Sequence, residues 1–183
     1  MVQWRMLGAR RLSSTLLVAV VLVVGGMAYR LYTSAPLQLL VQMDPNQSPA
    51  WLRWVSKQAL FAFLPTVDEA RELNAEAGAR YAAMFPDPVE AERILRLFLS
   101  RGVDIDSPER LSGAELTALH AAALSADPVP VRLLLAHGAD PTARDKHGRT
   151  ALDLALAAQA NGGGDGFAEV IRLLEAAQLR NTP

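Results

Sequence analysis

LTALHAAALSADPVPVRLLLAHGADPTARDKHGRT (Leu116–Thr150) is the stretch that decides the fold. Thr117 and Thr150 stand 33 residues apart and open similar runs, Ala-Leu-His-Ala-Ala-Ala after the first and Ala-Leu-Asp-Leu-Ala-Leu after the second. A fixed period of this size marks a repeat architecture, in which each copy buries its apolar face only against its neighbours. Ala121, Ala122 and Ala123 are small enough to let stacked helices approach closely. Val131, Leu134 and Leu135 fall at i, i+3 and i+4, one apolar stripe of a second helix. Gly138 stands where that helix would close in the left-handed conformation, which glycine adopts at little cost.

Thr117, Leu119 and His120, with the alanines after them, resemble the Thr-Pro-Leu-His-x-Ala signature of the ankyrin repeat. RLLLAHGAD (Arg132–Asp140) resembles the family's second helix and closing turn, and Asp145, Gly148 and Thr150 match its Asp-x-x-Gly-x-Thr hairpin. GFAEVIRLLEAA (Gly166–Ala177) reads as the second helix of a further copy, with Val170, Ile171, Leu173 and Leu174 inward. The linker before it, AQANGGGDG, is longer than an ungapped repeat allows by about seven residues. Gln178 replaces the closing glycine, which suits a terminal repeat. A degenerate copy precedes: in ERILRLFLSRGVDID (Glu92–Asp106), Gly102 matches Gly138. Its first helix is predicted over 66–85, with Thr66 and Glu69 at capping-box spacing, Tyr81, Ala82 and Ala83 aligned with the alanines at 121–123, and Arg80 in the place of His120.

The resemblance implies an all-α solenoid of three repeats over 66–182. It also implies that His120 is structural, hydrogen-bonding neighbouring backbone and pinning the hairpins. Arrays of this family present hairpin tips and first helices as a concave surface for protein partners. Carried over, the variable partner-binding positions are Leu116, Leu124 and Ser125 in the middle copy and Lys146, His147 and Arg149 in the last hairpin.

Composition agrees with helices. Apolar residues make up 51% of the 183 and aromatics 6%, with Ala and Leu dominant. There is no cysteine, so disulfides, thiolate zinc sites and a cysteine nucleophile are excluded. Four of the 18 basic residues lie at or before Arg30, whereas all 19 acids lie at or beyond Asp44, which leaves the body at −5. An acidic body argues against a nucleic-acid partner.

MVQWRMLGARRLSSTLLVAVVLVVGGMAYRLY opens the chain, with Arg5, Arg10 and Arg11 ahead of an uncharged run from Leu12 to Tyr29. The expected plan is a basic cytoplasmic end (1–11), a single transmembrane signal anchor (12–32) and a tether (33–47). Tyr29, Arg30 and Tyr32 read as interfacial anchors; Gly26-Met27-Ala28 leaves a cleaved secretory signal as the alternative. In both readings the positive-inside rule translocates the body, into the periplasm of a Gram-negative cell, off its inner membrane. SPAWLRWVSKQALFAFLP (Ser48–Pro65) predicts a helix over 48–64 with Ser48 as N-cap and Pro49 first. Two roles are open to it: a cap on the first repeat, or an interfacial helix lying on the membrane.

No catalytic constellation stands out. His120, His137 and His147 lack metal-ligand spacing, and there is no His-Glu-x-x-His. His137 is expected to face solvent at a helix C-terminus. NGGGDG follows a helix and lacks the Lys-Ser/Thr of a phosphate loop, and Asp104 and Asp106 lack the rest of a calcium loop. The chain is therefore read as a non-enzyme without cofactor, metal or small-molecule substrate, working through a protein partner. Two special cases follow from what periplasmic members of the family do: an immunity protein against a secreted (type VI, lipase-like) toxic effector, and an accessory factor for a periplasmic oxidative-stress enzyme.

Overall fold

The computed structural model describes residues 36–44, 46, 48–63, 65–110 and 113–181. The expected cytoplasmic end and membrane span (1–32) lie outside them. Among the described residues, no helix is long and apolar enough to cross a membrane. The chain forms two compact units that divide between Phe63 and Leu64.

In the first unit α1 (Pro36–Met43) packs on α2 (Ala50–Phe63). The stretch expected as a tether is thus more than a linker, because Leu39, Leu40 and Met43 give α1 a buried stripe. Gln42 accepts a hydrogen bond from the buried Ser56 hydroxyl at 2.7 Å, which joins the two helices. The start of α2 corrects the sequence reading by one residue. The Pro49 carbonyl takes the first helical bond, from the Arg53 N–H at 3.1 Å, so Pro49 is the cap. Ser48 stays outside the helix and its carbonyl receives the Arg53 guanidinium at 2.8 Å.

Three helix pairs make up most of the second unit: α4 (Ala79–Ala83) with α5 (Pro88–Ser100), α6 (Ala118–Ala123) with α7 (Pro128–Ala136), and α8 (Ala151–Ala160) with α9 (Gly166–Asn181). Among its described residues there are no strands, only one isolated antiparallel bridge between Glu76 and Glu109. First helices pack on first helices (α4 on α6, α6 on α8), and α9 packs on α7. Close approach is possible because Ala82, Ala122 and Ala155 are fully buried methyls. Second helices supply bulk: Phe98, Ile94, Leu95, Val131, Leu134, Val170 and Leu174 are wholly buried, each contributing on the order of 1.5–3 kcal/mol.

An Asp-Pro pair starts both α5 and α7. Asp87 accepts from the Val89 N–H at 2.9 Å, and Asp127 likewise from Val129, each with proline in the first turn. Gly102 and Gly138 close those helices at φ +93° and +92°, and the bonds from Val103 to Phe98 and from Ala139 to Leu134 complete the turn.

The helix predicted over 66–85 is two helices. α3 (Val67–Ala75) has the expected capping box between Thr66 and Glu69, but the chain then turns through Ala77 at φ +51° before α4 begins. Tertiary bonds stop α3. Asn74 receives the Asp104 N–H at 2.7 Å, donates to the Gly102 carbonyl at 3.2 Å, and offers its own carbonyl to the Ser107 hydroxyl. The Ala75 carbonyl takes the Arg110 N–H at 3.0 Å. The end of α3 therefore stands where a preceding hairpin would, and the degenerate copy proper starts near Ala79.

The extra length in the last copy goes into α8, which has 10 residues where α6 has 6, and into the turn after it. Gly166 is forced there by packing, since a Cβ would sit 2.1 Å from the Ala126 carbonyl oxygen. Gln178 falls within α9, which runs on to Asn181, and its side chain donates to the Pro141 carbonyl at 3.0 Å.

Candidate functional site

The hairpins are built from short polar bonds between copies. The Asp140 N–H donates to Asp106 Oδ1 at 2.9 Å, and the Lys146 N–H to the Ala114 carbonyl at 3.1 Å. Burial pushes the Asp106 carboxyl up; the Asp140 N–H lowers it, and the neighbouring Asp104 and Asp140 charges raise it further. Asp104 and Asp106 form a turn, with the Asp106 N–H on Asp104 Oδ1 at 3.0 Å.

His120 is fully buried at the centre of this arrangement. The Thr117 N–H donates to Nδ1 at 3.2 Å, so the ring's proton sits on Nε2, which donates to the Arg149 carbonyl at 3.0 Å. The Thr117 hydroxyl lies 2.9 Å from Nδ1. One imidazole thus ties the start of α6 to the following hairpin, 29 residues away. With both nitrogens engaged by backbone and no solvent contact, the ring has no access to a substrate. In the first copy the corresponding Arg80 instead donates to the Tyr81 hydroxyl at 2.9 Å and lies over that ring. In the third copy Asp153 takes the place: it accepts the Thr150 N–H at 2.8 Å, the first cause of its lowered pKa.

Asp145 is the second buried anchor. Burial raises its pKa, but the Arg149 guanidinium, then the Arg149 and His147 N–H groups, more than offset this and hold it at about 2. Oδ1 accepts from the His147 N–H at 2.8 Å and the Arg149 N–H at 2.9 Å; Oδ2 accepts from Arg149 Nε at 2.9 Å. Gly148 completes this turn at φ +77°, and Thr150 caps α8.

The partner-binding candidates divide into two groups. Leu116, Lys146, His147 and Arg149 lie on the hairpins. Leu116 is half-buried and its carbonyl accepts from Glu109; Lys146 and His147 are exposed. Arg149 is committed to Asp145, so its guanidinium serves the hairpin's own structure. Leu124 and Ser125 lie at the opposite end of α6, in the turn to α7. Ser125 donates to the Ala122 carbonyl and accepts from the Asp127 N–H, while Leu124 is 45% exposed. His137 differs from expectation: its side chain is only 19% exposed and lies 4.0 Å from Glu92 of the preceding copy.

Sequence reading missed the neighbours of Leu124. Met84 ends α4 as Leu124 ends α6 and is 42% exposed. Met84, Phe85, Pro86, Ser125, Val129 and Pro130 line one shallow groove across the two turns. Its signal was in the chain: Ala83-Met84 and Ala123-Leu124 precede the two Asp-Pro pairs at the same spacing. Among the described residues, no group of three or more His, Asp or Glu side chains could hold a metal ion.

No curated protein matches the chain. The family model for ankyrin repeats, three copies, matches residues 81–179, which span the three helix pairs but not α3. The repeated helix pairs, the shared closing glycines and this match together establish that the chain belongs to the ankyrin repeat family.

Proposed function

We propose that this chain is a membrane-tethered protein-binding module, held by residues 12–32 with its repeats in the periplasm, and that it grips its partner with the turn face of the first two repeats. Family membership supports a protein partner. One observation carries the choice of surface: Met84 and Leu124 occupy equivalent positions on packed first helices, yet are 42% and 45% exposed beside an apolar groove. Large side chains exposed together next to such a groove form an anchor that a partner can desolvate. The hairpin side contributes Lys146 and His147 at the rim.

Affinity capture from membranes with the full chain tests this. Leu124→Asp is expected to weaken capture of the bound protein by about 30-fold, the effect of losing one central anchor, and Lys146→Glu by less than about tenfold. Equal capture by both variants and the parent chain would refute the surface. A reporter active only outside the cytoplasm, fused after Pro183, is expected to give signal; silence refutes the orientation. Recovery of a secreted toxic enzyme would narrow the module to an immunity protein, and recovery of an oxidative-stress enzyme to an accessory factor.

A further inference from the structure

We propose that the exposed face of α2 lies in the headgroup region of an anionic phospholipid bilayer, with Trp51 and Trp54 as its wedges; the proposal rests on the membrane-tether reading above. The two indoles are 57% and 64% exposed and sit at i and i+3, on one face. Gln58 and Ala62, also exposed, continue that face, so it carries no charge, while Ser56, Ala59 and Leu60 are buried on the other side. Val41 of α1 adds a further exposed apolar side chain at 54%. An indole has a large apolar body and one N–H, which favours the boundary between headgroups and acyl chains.

Charge and chain continuity select lipid as the occupant. Residues 36–63 hold Arg53 and Lys57 against Asp44 alone, a net charge of +1, whereas residues 65–181 hold 12 basic and 18 acidic residues, a net charge of −6. Of these two stretches the cationic one is the one that exposes tryptophan, and its sign complements an anionic leaflet. The uncharged run Leu12–Tyr29 ends six residues before α1 begins, which keeps α2 within reach of any bilayer that holds the run.

The chain's three tryptophans are Trp4, Trp51 and Trp54, so Trp4→Phe leaves α2 as the sole source of indole emission. The full-length variant is reconstituted into vesicles of equal phosphatidylcholine and phosphatidylglycerol, floated, and titrated with lipid-borne and aqueous quenchers. The expected result is flotation, loss of emission to lipids brominated in the upper acyl chain, about 5–10 Å below the surface, and shielding from acrylamide. A chain that floats but whose emission acrylamide quenches freely has this face in water, which overturns the proposal and leaves the tether standing. A chain that floats and resists both quenchers has the face covered by protein, a partner or a second copy, which also overturns it. Failure to float overturns tether and proposal together.

Discussion

Replacing His120 by Leu keeps a buried apolar body of similar size and removes both ring hydrogen bonds. The Thr117 N–H, 3.2 Å from the ring, then has no partner, and the Arg149 carbonyl, 3.0 Å from it, keeps only the Asp145 N–H. Thr117 is 4% exposed, so water does not readily replace the ring there. An orphaned buried group costs about 1–3 kcal/mol and one further lost hydrogen bond about 0.5–1.5 kcal/mol, which gives about 2–4 kcal/mol together. Against total stabilities of about 5–15 kcal/mol, the loss lowers the thermal midpoint by roughly 10–20 °C. No tryptophan lies beyond Trp54, so melting of the repeats is followed by far-ultraviolet circular dichroism of the full chain in detergent, with urea titration for free energy. His147→Leu, at the exposed hairpin tip, is the control and is expected within about 0.5 kcal/mol of the parent chain. A His120→Leu chain within that same margin, with unchanged urea dependence, would refute the pinning role.

The hairpin aspartates respond to pH in opposite senses. Asp145 has a folded pKa of about 2 against an ordinary 3.8, so its stabilisation is full above pH 3.8 and is lost as pH falls towards 2. Because Arg149 is half-exposed, solvent screening limits that contribution to about 1–2 kcal/mol, and Asp145→Asn should remove most of the acid sensitivity between those pH values. The raised pKa of Asp106 means its ionised form costs stability at neutral pH. Asp106→Asn, which can still accept the Asp140 N–H, is expected to raise the thermal midpoint at pH 7, with the gain shrinking once the parent carboxyl is protonated. Gly166→Ala places a methyl 2.1 Å from the Ala126 carbonyl oxygen and should cost about 1–3 kcal/mol by urea titration, unlike Gly164→Ala, where nothing lies within 4 Å.

The parts of the fold legible in the sequence are those fixed by local chemistry. Thr66 with Glu69 and the closing glycines at 102 and 138 act within a few residues of themselves, and their roles follow from spacing. The break after Ala75 is harder to read, because Ala75-Glu76-Ala77 favours helix; Gly78, whose N–H returns to the Leu73 carbonyl at 2.7 Å, and bonds from Asn74 and Ala75 to residues about thirty positions away stop it together. The same limit applies to the surface. Arg149 reads as a free cation until the fold buries Asp145 beside it, and Met84 becomes conspicuous only when α4 and α6 are side by side.

The hairpin bonds also have a direction. The backbone amides of Asp104 and Arg110 donate to Asn74 and Ala75, and those of Asp140 and Lys146 donate to Asp106 and Ala114. In each of these backbone pairs the later hairpin supplies the hydrogen and the earlier one the acceptor, while the side chains of Asn74 and His120 donate the other way, to the Gly102 and Arg149 carbonyls. The stack is a polar zipper whose first tooth is the end of α3. Opening it from that side strips the acceptors of the next hairpin and raises deuterium uptake there. Opening it from α9 leaves the earlier backbone amides bonded, so deuterium uptake there is expected to change less.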